Sequence, residues 1–211
     1  MIHMTRGEFV QDFFQHLIVR EALERLSTSL PDSLTYHTVE HTRDVLQEAI
    51  TLAQEDGLSA REIELLAIAS AWHDIGYIHA LKQNEPLAAR ELGAYLLNNP
   101  QYAKDEIELM QQMILDTALV PEHNTLVQKP HTKLSRYLLD ADLANFGRDD
   151  FFEKSALQLQ ETGMEESTFR KTTLALLLAH TWLTPAGGRK WTKKKNSNIQ
   201  TLRDLLEQGI K

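Results

Sequence analysis

The chain has 211 residues, of which 42% are hydrophobic and 25% are charged, with a formal net charge of -8 and no cysteine. This composition is typical of a folded globular protein, and it excludes disulfides, thiolate metal sites and cysteine nucleophiles. The acidic balance argues against broad nucleic-acid binding, since neutralising phosphates takes clustered Lys and Arg, and it suits the binding of cations. The sequence has neither a bilayer-spanning apolar run nor a signal-peptide pattern, so we expect a soluble, cytoplasmic protein without a membrane partner.

Apolar spacing together with start and stop signals predicts helix almost throughout the chain and no sheet. The first helix is predicted from about residue 5 to 27, and the second from about 35 to 57. The segment Ser-Ala-Arg-Glu at 59–62 has the pattern of a capping box and begins an apolar helix that we expect to be buried and to end near residue 73. Two further helices are predicted near 86–97 and 103–117.

The second half of the chain begins with a predicted loop at 118–132, which is long enough to form a lid or one wall of a site. Helices follow near 133–146, 149–162 and 165–183, and the cluster of Pro185, Gly187 and Gly188 is expected to stop the third of them. A last helix is predicted at about 198–208. Since no linker or repeat interrupts the chain, we expect residues 1–211 to form a single all-α domain, a helical bundle.

Two histidines, His37 and His41, are four residues apart in a predicted helix, so their imidazoles lie on one face and can address one site. Solvated or hydrogen-bonded histidines often show the same spacing. The adjacent His73 and Asp74 end the apolar helix, where a charge is costly unless it is paired or bound to a metal.

Two carboxylates, Asp140 and Asp142, lie in an apolar helical stretch and need a compensating partner, which a metal or a salt bridge would supply. Taken together, the residues of these segments make a mixed imidazole and carboxylate set of candidate ligands: His41, His73, Asp74 and Asp142. Such a set suits divalent Mn, Fe, Co, Ni or Zn, with Mg as a further candidate.

The order of these residues resembles the signature of the HD superfamily of metal-dependent phosphohydrolases, which is a His, a His-Asp doublet and a distant Asp. Other segments are similar to elements of several subgroups: 36–41 to YHxxxH, 84–89 to NExxSA, 114–117 to IxxT and 140–144 to DADL. The resemblance covers about residues 34–147, the metal-site core, and leaves 148–211 as C-terminal helices. It implies an HD-type helical domain with its metal on the four candidate ligands. The aspartate of the family usually follows an alanine, which favours Asp142 as ligand and gives Asp140 a supporting or salt-bridging role.

The resemblance further implies an enzyme that cleaves a phosphoester of a nucleotide or another small phosphorylated molecule through a metal-activated water. Asp74 would then orient the water or bridge a second ion. His37 would protonate the leaving oxygen, as the corresponding histidine does in the cyclic-nucleotide phosphodiesterases that this segment resembles, or it would be a supporting or surface histidine. Extra ligands for a second ion would come from His79, Glu85 and His123.

Some features of the sequence leave alternatives open. The chain lacks the GYP motif of cyclic-dinucleotide enzymes and the HDxxHxG form of class I phosphodiesterases, so neither activity is expected. The basic cluster at 189–195 is a candidate for phosphate or base contacts, or else a solvated turn, and His180 is expected to be a hydrogen-bonded core residue. A non-catalytic HD module that senses metal or nucleotide, or scaffolds a partner, is the alternative to an enzyme. A di-iron oxygenase on the same architecture is a third hypothesis.

Overall fold

Helices make up most of the chain, and many of their ends follow the capping and turn signals of the sequence. The computed structural model describes residues 6–122 and 125–208. The helices are α1 (Arg6–Gln15), α2 (Leu17–Ser29), α3 (Val39–Glu55), α4 (Ala60–Trp72), α5 (Asn84–Leu96), α6 (Lys104–Leu115), α7 (Ser135–Asp142), α8 (Phe151–Thr162), α9 (Glu166–Ala179) and α10 (Pro185–Gln208), with short 3₁₀ turns at Ile75–Ile78 and Ala144–Gly147. The predicted all-α fold is confirmed.

The central helix α4 begins at the predicted capping box. The Ser59 side chain accepts from the Glu62 backbone N–H, and the Glu62 carboxylate accepts from the Ser59 backbone N–H at 2.8 Å. Every residue from Leu65 to Trp72 is buried, and α4 packs against α2, α3 and α6. The Trp72 indole N–H is satisfied by the Ile18 carbonyl of α2 at 3.0 Å. The predicted burial of this helix is confirmed, and its C-terminal end reaches deep into the core.

The N-terminal prediction of one continuous helix is wrong at His16. This residue leaves the helical conformation, with φ -62° and ψ 129°, and separates α1 from α2. Its Nε2 atom lies 3.4 Å from the hydroxyl of Tyr102 and 3.8 Å from the carboxylate of Glu64, both far away in sequence. Contacts of this kind are invisible to local periodicity, which is why the break was missed. The second predicted helix corresponds to α3, which begins at Val39, four residues later than predicted.

The expectation of no sheet is wrong for the segment predicted as a loop. Strands β1 (Val120–Glu122) and β2 (Thr125–Val127) pair antiparallel, with Val120 opposite Val127 and Glu122 opposite Thr125. Each strand has only three residues, which is too short for an alternating pattern to stand out in the sequence. The hairpin packs on α9.

The predicted stop at Pro185 is in fact the start of the long helix α10. Proline suits the first position of a helix because it has no N–H to donate there. Gly187 lies within the first turn of α10 and packs directly on Asp140 of α7. A Cβ at this position would lie 2.5 Å from the Asp140 Oδ2 atom, which explains the glycine. The predicted helix at 198–208 is therefore the second half of α10.

Two apolar clusters hold these elements together. The larger cluster contains residues of α1 to α7 and of the first half of α10. The smaller one, formed by Leu143, Phe146, Phe151, Leu177 and Leu202, lies among the C-terminal helices. Of the described helices, none combines the length and apolar character that crossing a bilayer would need.

Candidate metal centre

Three helix ends bring the predicted ligands together. His41 lies in the first turn of α3, where Thr38 is the N-cap residue. His73 directly follows the last residue of α4, and Asp74 comes next, before the 3₁₀ turn. Asp142 is the last residue of α7. Because α3, α4 and α7 pack on one another, these ends meet inside the bundle.

The side chains converge closely. The Nε2 atom of His41 lies 3.3 Å from Asp142 Oδ1 and 3.6 Å from Asp74 Oδ2. The Nε2 atom of His73 lies 3.2 Å from Asp74 Oδ2 and 3.7 Å from Asp142 Oδ1. Ligand atoms of His41, His73 and Asp142 all lie within 4.8 Å of one another, so this group can hold a metal ion. Asp74 lies beside the same two nitrogens, and its role as a fourth ligand stays a prediction.

Hydrogen bonds on the far side of two residues set the direction of their ligand atoms. The Nδ1 atom of His73 lies 2.7 Å from the Ser70 carbonyl, which can only accept, so Nδ1 carries a proton. In the neutral ring, Nε2 then presents its lone pair to the cluster. The Oδ2 atom of Asp142 accepts from the Gln128 amide at 2.7 Å, which leaves Oδ1 for the cluster. Gln128 also donates to the Thr117 carbonyl at 2.9 Å, so the segment after the hairpin is fastened to the site.

The cluster contains buried polar atoms that no protein group satisfies. His41 is 7% exposed, His73 1% and Asp74 6%. The Nε2 atoms of both histidines and the Oδ2 atom of Asp74 have no hydrogen-bond partner. Leaving several such atoms unpaired in one place is costly. A cation fits this environment, because two imidazole nitrogens and the carboxylate oxygens are donor types that divalent transition metals accept.

The charges within the cluster are strongly coupled. Burial lowers the pKa of His73, but the adjacent Asp74 carboxylate outweighs burial and raises this pKa to about 9. Burial likewise opposes ionisation of Asp74, yet the charge of the adjacent His73 holds the pKa of that carboxyl well below its usual range. The Asp74 carboxyl is therefore ionised, and it favours the protonated form of the His73 ring beside it.

His37 lies at the edge of the cluster, in the extended segment before α3. Its Nδ1 atom is bonded to the Glu161 carboxylate of α8, which also accepts from the backbone N–H groups of Tyr36 at 2.8 Å and His37 at 3.0 Å. The Nε2 atom lies 3.5 Å from the Tyr77 hydroxyl. Burial lowers the pKa of His37, but the bond to Glu161 and the charge of Asp74 outweigh it and raise this pKa above its ordinary value.

Asp140 serves a different part of the fold from Asp142. It is fully buried and accepts from the backbone N–H groups of Leu183 at 2.8 Å and Thr184 at 2.9 Å, and from the Thr184 hydroxyl at 2.7 Å. Its carboxylate therefore holds the connection between α9 and α10. Asp140 thus supports the fold through hydrogen bonds, and within residues 6–122 and 125–208 it forms no salt bridge.

The candidates for extra ligands are engaged elsewhere or stay untested. His79 is half exposed and pairs with Glu91 at 2.5 Å. Glu85 lies in the first turn of α5 and has no part in the group of three close ligands. His123 lies outside the described residues. No second metal position is therefore indicated by the described part of the chain.

The basic cluster at 189–195 lies on the first half of α10, and most of its charges are already paired. Arg189 pairs with Asp56, Lys190 with Glu48 and Lys194 with Asp149. Lys195 is buried and donates to His180, as described below. These ion pairs leave little free charge to contact a phosphate, so the prediction of a phosphate or base contact gains no support from the structure.

Two residues that orient the site were not predicted from the sequence. Glu161 comes from α8, more than a hundred residues from the histidine that it holds, and Gln128 comes from the segment predicted as a loop. No local signal marks either one, because a carboxylate on an amphipathic helix or an amide in a loop is usually solvated. Only the tertiary fold brings them to the site.

Comparison with known proteins adds no relative: no family model matches the chain, and no curated protein matches it.

Proposed function

We propose that the protein is a metal-dependent phosphohydrolase that cleaves a phosphoester of a small phosphorylated molecule, with nucleotides among the candidates. The observation that carries this proposal is the convergence of His41 Nε2, His73 Nε2 and Asp142 Oδ1 within 4.8 Å of one another, with both nitrogens buried and unpaired. The resemblance of the motifs to the HD superfamily supports the choice of reaction. A divalent cation, when bound, supplies a Lewis acid for a phosphoryl oxygen and lowers the pKa of water.

We assign Asp74 the role of orienting the attacking water. Its Oδ2 atom has no protein partner, and its low pKa keeps it an acceptor at neutral pH. A water placed between this oxygen and a phosphorus atom would donate to the carboxylate and turn a lone pair towards the phosphoryl group. The buried position restricts access by bulk solvent, which strengthens such a hydrogen bond.

We assign His37 the role of donating a proton to the leaving oxygen. The Glu161 carboxylate engages Nδ1 and favours the imidazolium, so a proton is available at Nε2. A general acid of this kind must lie within hydrogen-bond reach of the oxygen that departs. The nearby Tyr77 hydroxyl, 3.5 Å away, helps to hold the ring in place.

The test combines metal content with turnover. The protein is purified without chelators, its metals are measured by elemental analysis, and phosphate release is assayed over a panel of nucleotides and simple phosphoesters with Mn, Co, Ni, Mg or Zn added. We expect close to one metal per chain and turnover that depends on it. Asp142→Asn should lose both, whereas the matched control Asp149→Asn should lose neither, since Asp149 is 95% exposed.

Variants at Asp74 and His37 test the two catalytic roles, and only His37 lies outside the predicted ligand set. We expect Asp74→Ala and His37→Gln to keep the fold and to lose turnover by about 100-fold or more, the contribution typical of one positioned acid or base. Bound metal without turnover of any substrate would favour the non-catalytic module instead. Absence of metal under every condition would refute the ligand assignment.

A further inference from the structure

A partly open cavity of about 220 Å³ lies next to the metal centre, between the segment that follows β2, the end of α7 and the end of α9. Its wall is mostly aliphatic, with Leu126, Leu139, Leu143, Leu176 and Leu183 among the lining residues. We call it the leucine cavity. Its volume leaves enough space for one substituted ring.

The leucine cavity shares a wall with the metal centre. Gln128 lines the cavity and also donates to Asp142 Oδ2 at 2.7 Å. Leu143, another lining residue, directly follows Asp142 in the chain. A molecule that presents a phosphoryl group to the ligand cluster thus has this cavity as the adjacent space on the hairpin side.

Five polar residues interrupt the aliphatic wall: Glu122, Gln128, Lys129, His180 and Thr181. Among them, His180 has an orientation that its hydrogen bonds define. The Nδ1 atom of His180 lies 3.0 Å from Lys195 Nζ, and Lys195 also donates to the His180 carbonyl at 2.5 Å. Because an ammonium group can only donate, Nδ1 accepts and the proton of the ring is on Nε2. Within the described chain, Nε2 has no hydrogen-bond partner. Burial and the nearby ammonium lower the pKa of His180 to about 3, so the ring stays neutral with this N–H available.

We infer that the leucine cavity receives the organic group of the substrate, and that this group is a single, mostly apolar ring carrying a hydrogen-bond acceptor for the His180 Nε2–H. This inference rests on the proposed hydrolase and narrows its substrate to compact aryl or heteroaryl phosphomonoesters. Hydrolysis adds one water: the P–O bond to the ring oxygen breaks, phosphate takes the hydroxyl, and the ring oxygen takes the proton.

The first experiment measures binding without turnover. Isothermal titration calorimetry of 4-hydroxyacetophenone, a ring with a carbonyl acceptor, should detect binding to the purified protein. Leu176→Trp fills the cavity and should weaken binding at least about tenfold, the effect of roughly 1.4 kcal/mol. Leu178→Trp, on the same helix but 52% exposed and outside the lining, should leave binding unchanged. His180→Phe keeps a ring but removes the donor and should weaken binding about fivefold.

A second variant tests whether a loss of binding comes from the filled cavity or from misfolding. Ala179→Phe narrows the same cavity from an exposed backbone position, and thermal unfolding of each variant checks the fold. If Leu176→Trp and Ala179→Phe both bind the ketone as the natural chain does, the cavity assignment is overturned.

The second experiment connects the cavity to the reaction. For 4-acetylphenyl phosphate, Leu176→Trp should raise KM at least about tenfold, while the control Leu178→Trp, outside the lining, should leave KM unchanged. Turnover of the aryl ester with an unchanged KM would overturn the cavity as a substrate site and leave the hydrolase standing. Ketone binding without phosphate release from any ester would refute the hydrolase and, with it, the substrate role of the cavity.

Discussion

Two aspartates separated by one alanine should give opposite phenotypes. Asp140 is fully buried and accepts three hydrogen bonds from Leu183 and Thr184, at 2.7 to 2.9 Å. Asp140→Ala leaves two backbone N–H groups without an acceptor, at about 1–3 kcal/mol each, while the Thr184 hydroxyl can rotate to another partner. We expect the free energy of unfolding at pH 7.5 to fall by about 2–4 kcal/mol, with the metal-binding residues untouched.

The same variant should respond to pH in a defined direction. Burial raises the pKa of Asp140 from 3.8 to about 6. A carboxyl whose pKa is higher in the folded state binds protons on folding, so its contribution to stability grows as the pH falls through 6 towards 4. Between pH 7.5 and pH 5 this gain is about 1.4 kcal/mol for the natural chain and is absent from the variant. Asp140→Ala should therefore be more destabilised at pH 5 than at pH 7.5.

Asp142→Ala should show the reverse pattern. Its carboxylate is partly exposed, and Gln128 keeps its second acceptor, the Thr117 carbonyl, so the stability should change by less than about 1 kcal/mol. Metal affinity should fall at least about 100-fold, because residues that only support ligands already contribute 10-fold to 100-fold.

Urea unfolding at pH 7.5 and pH 5, together with titration of Mn²⁺ by calorimetry, measures both quantities. The comparison of Asp140→Ala with the natural chain cancels the titration of the buried histidines, which these two proteins share. Asp149→Ala, at an exposed position, is the control for both assays. A stable Asp140→Ala protein that no longer binds metal would refute the assignment of the two carboxylates.

Two further predictions concern α10 and α8. Gly187→Ala should lower the free energy of unfolding by about 2 kcal/mol, because its Cβ would lie 2.5 Å from the Asp140 carboxylate and this close packing cannot relax fully. Glu161→Gln should keep the metal but lower the pKa of His37, because Glu161 contributes to raising it. A proton donor with a lower pKa loses its proton at lower pH, so the alkaline limb of the plot of kcat/KM against pH should move to lower pH.

Each of these predictions has a matched control on the same helix. Gly188→Ala meets no atom within 4 Å and should be neutral or stabilising by about 0.5–1 kcal/mol, the helix preference of alanine over glycine. Equal destabilisation at both glycines would contradict the packing argument. Glu153→Gln, exposed on α8, should not shift the pH profile. An unshifted profile in an active Glu161→Gln enzyme would remove His37 as the proton donor.

The sequence allowed the helical class, the capping box at Ser59 and the burial of α4 to be predicted, because these depend on local hydrogen bonding and on periodicity along one element. It also allowed His41, His73, Asp74 and Asp142 to be selected, since a charge at the end of an apolar helix needs a partner wherever the helix packs. These four residues do lie together in the structure.

Errors arose wherever a distant contact overrode a local preference. Pro185 and Gly187 have the pattern of a helix stop, yet they begin α10. The glycine is present there because a buried carboxylate of α7 occupies the space that a side chain would need. The break at His16 and the hairpin at 120–127 have the same origin: neighbours from elsewhere in the chain decide the local backbone.

What the sequence by itself determined is therefore the type of fold, which follows from composition and period, and the set of candidate ligands, which follows from spacing together with the resemblance to the HD superfamily signature. What only the tertiary structure decided is how those ligands are aimed and what surrounds them. Glu161 holds His37, Gln128 holds Asp142, and His180 faces a cavity with its donor set by Lys195. Each of these relations joins residues on separate elements, and their meeting depends on how whole helices pack, which no local pattern encodes.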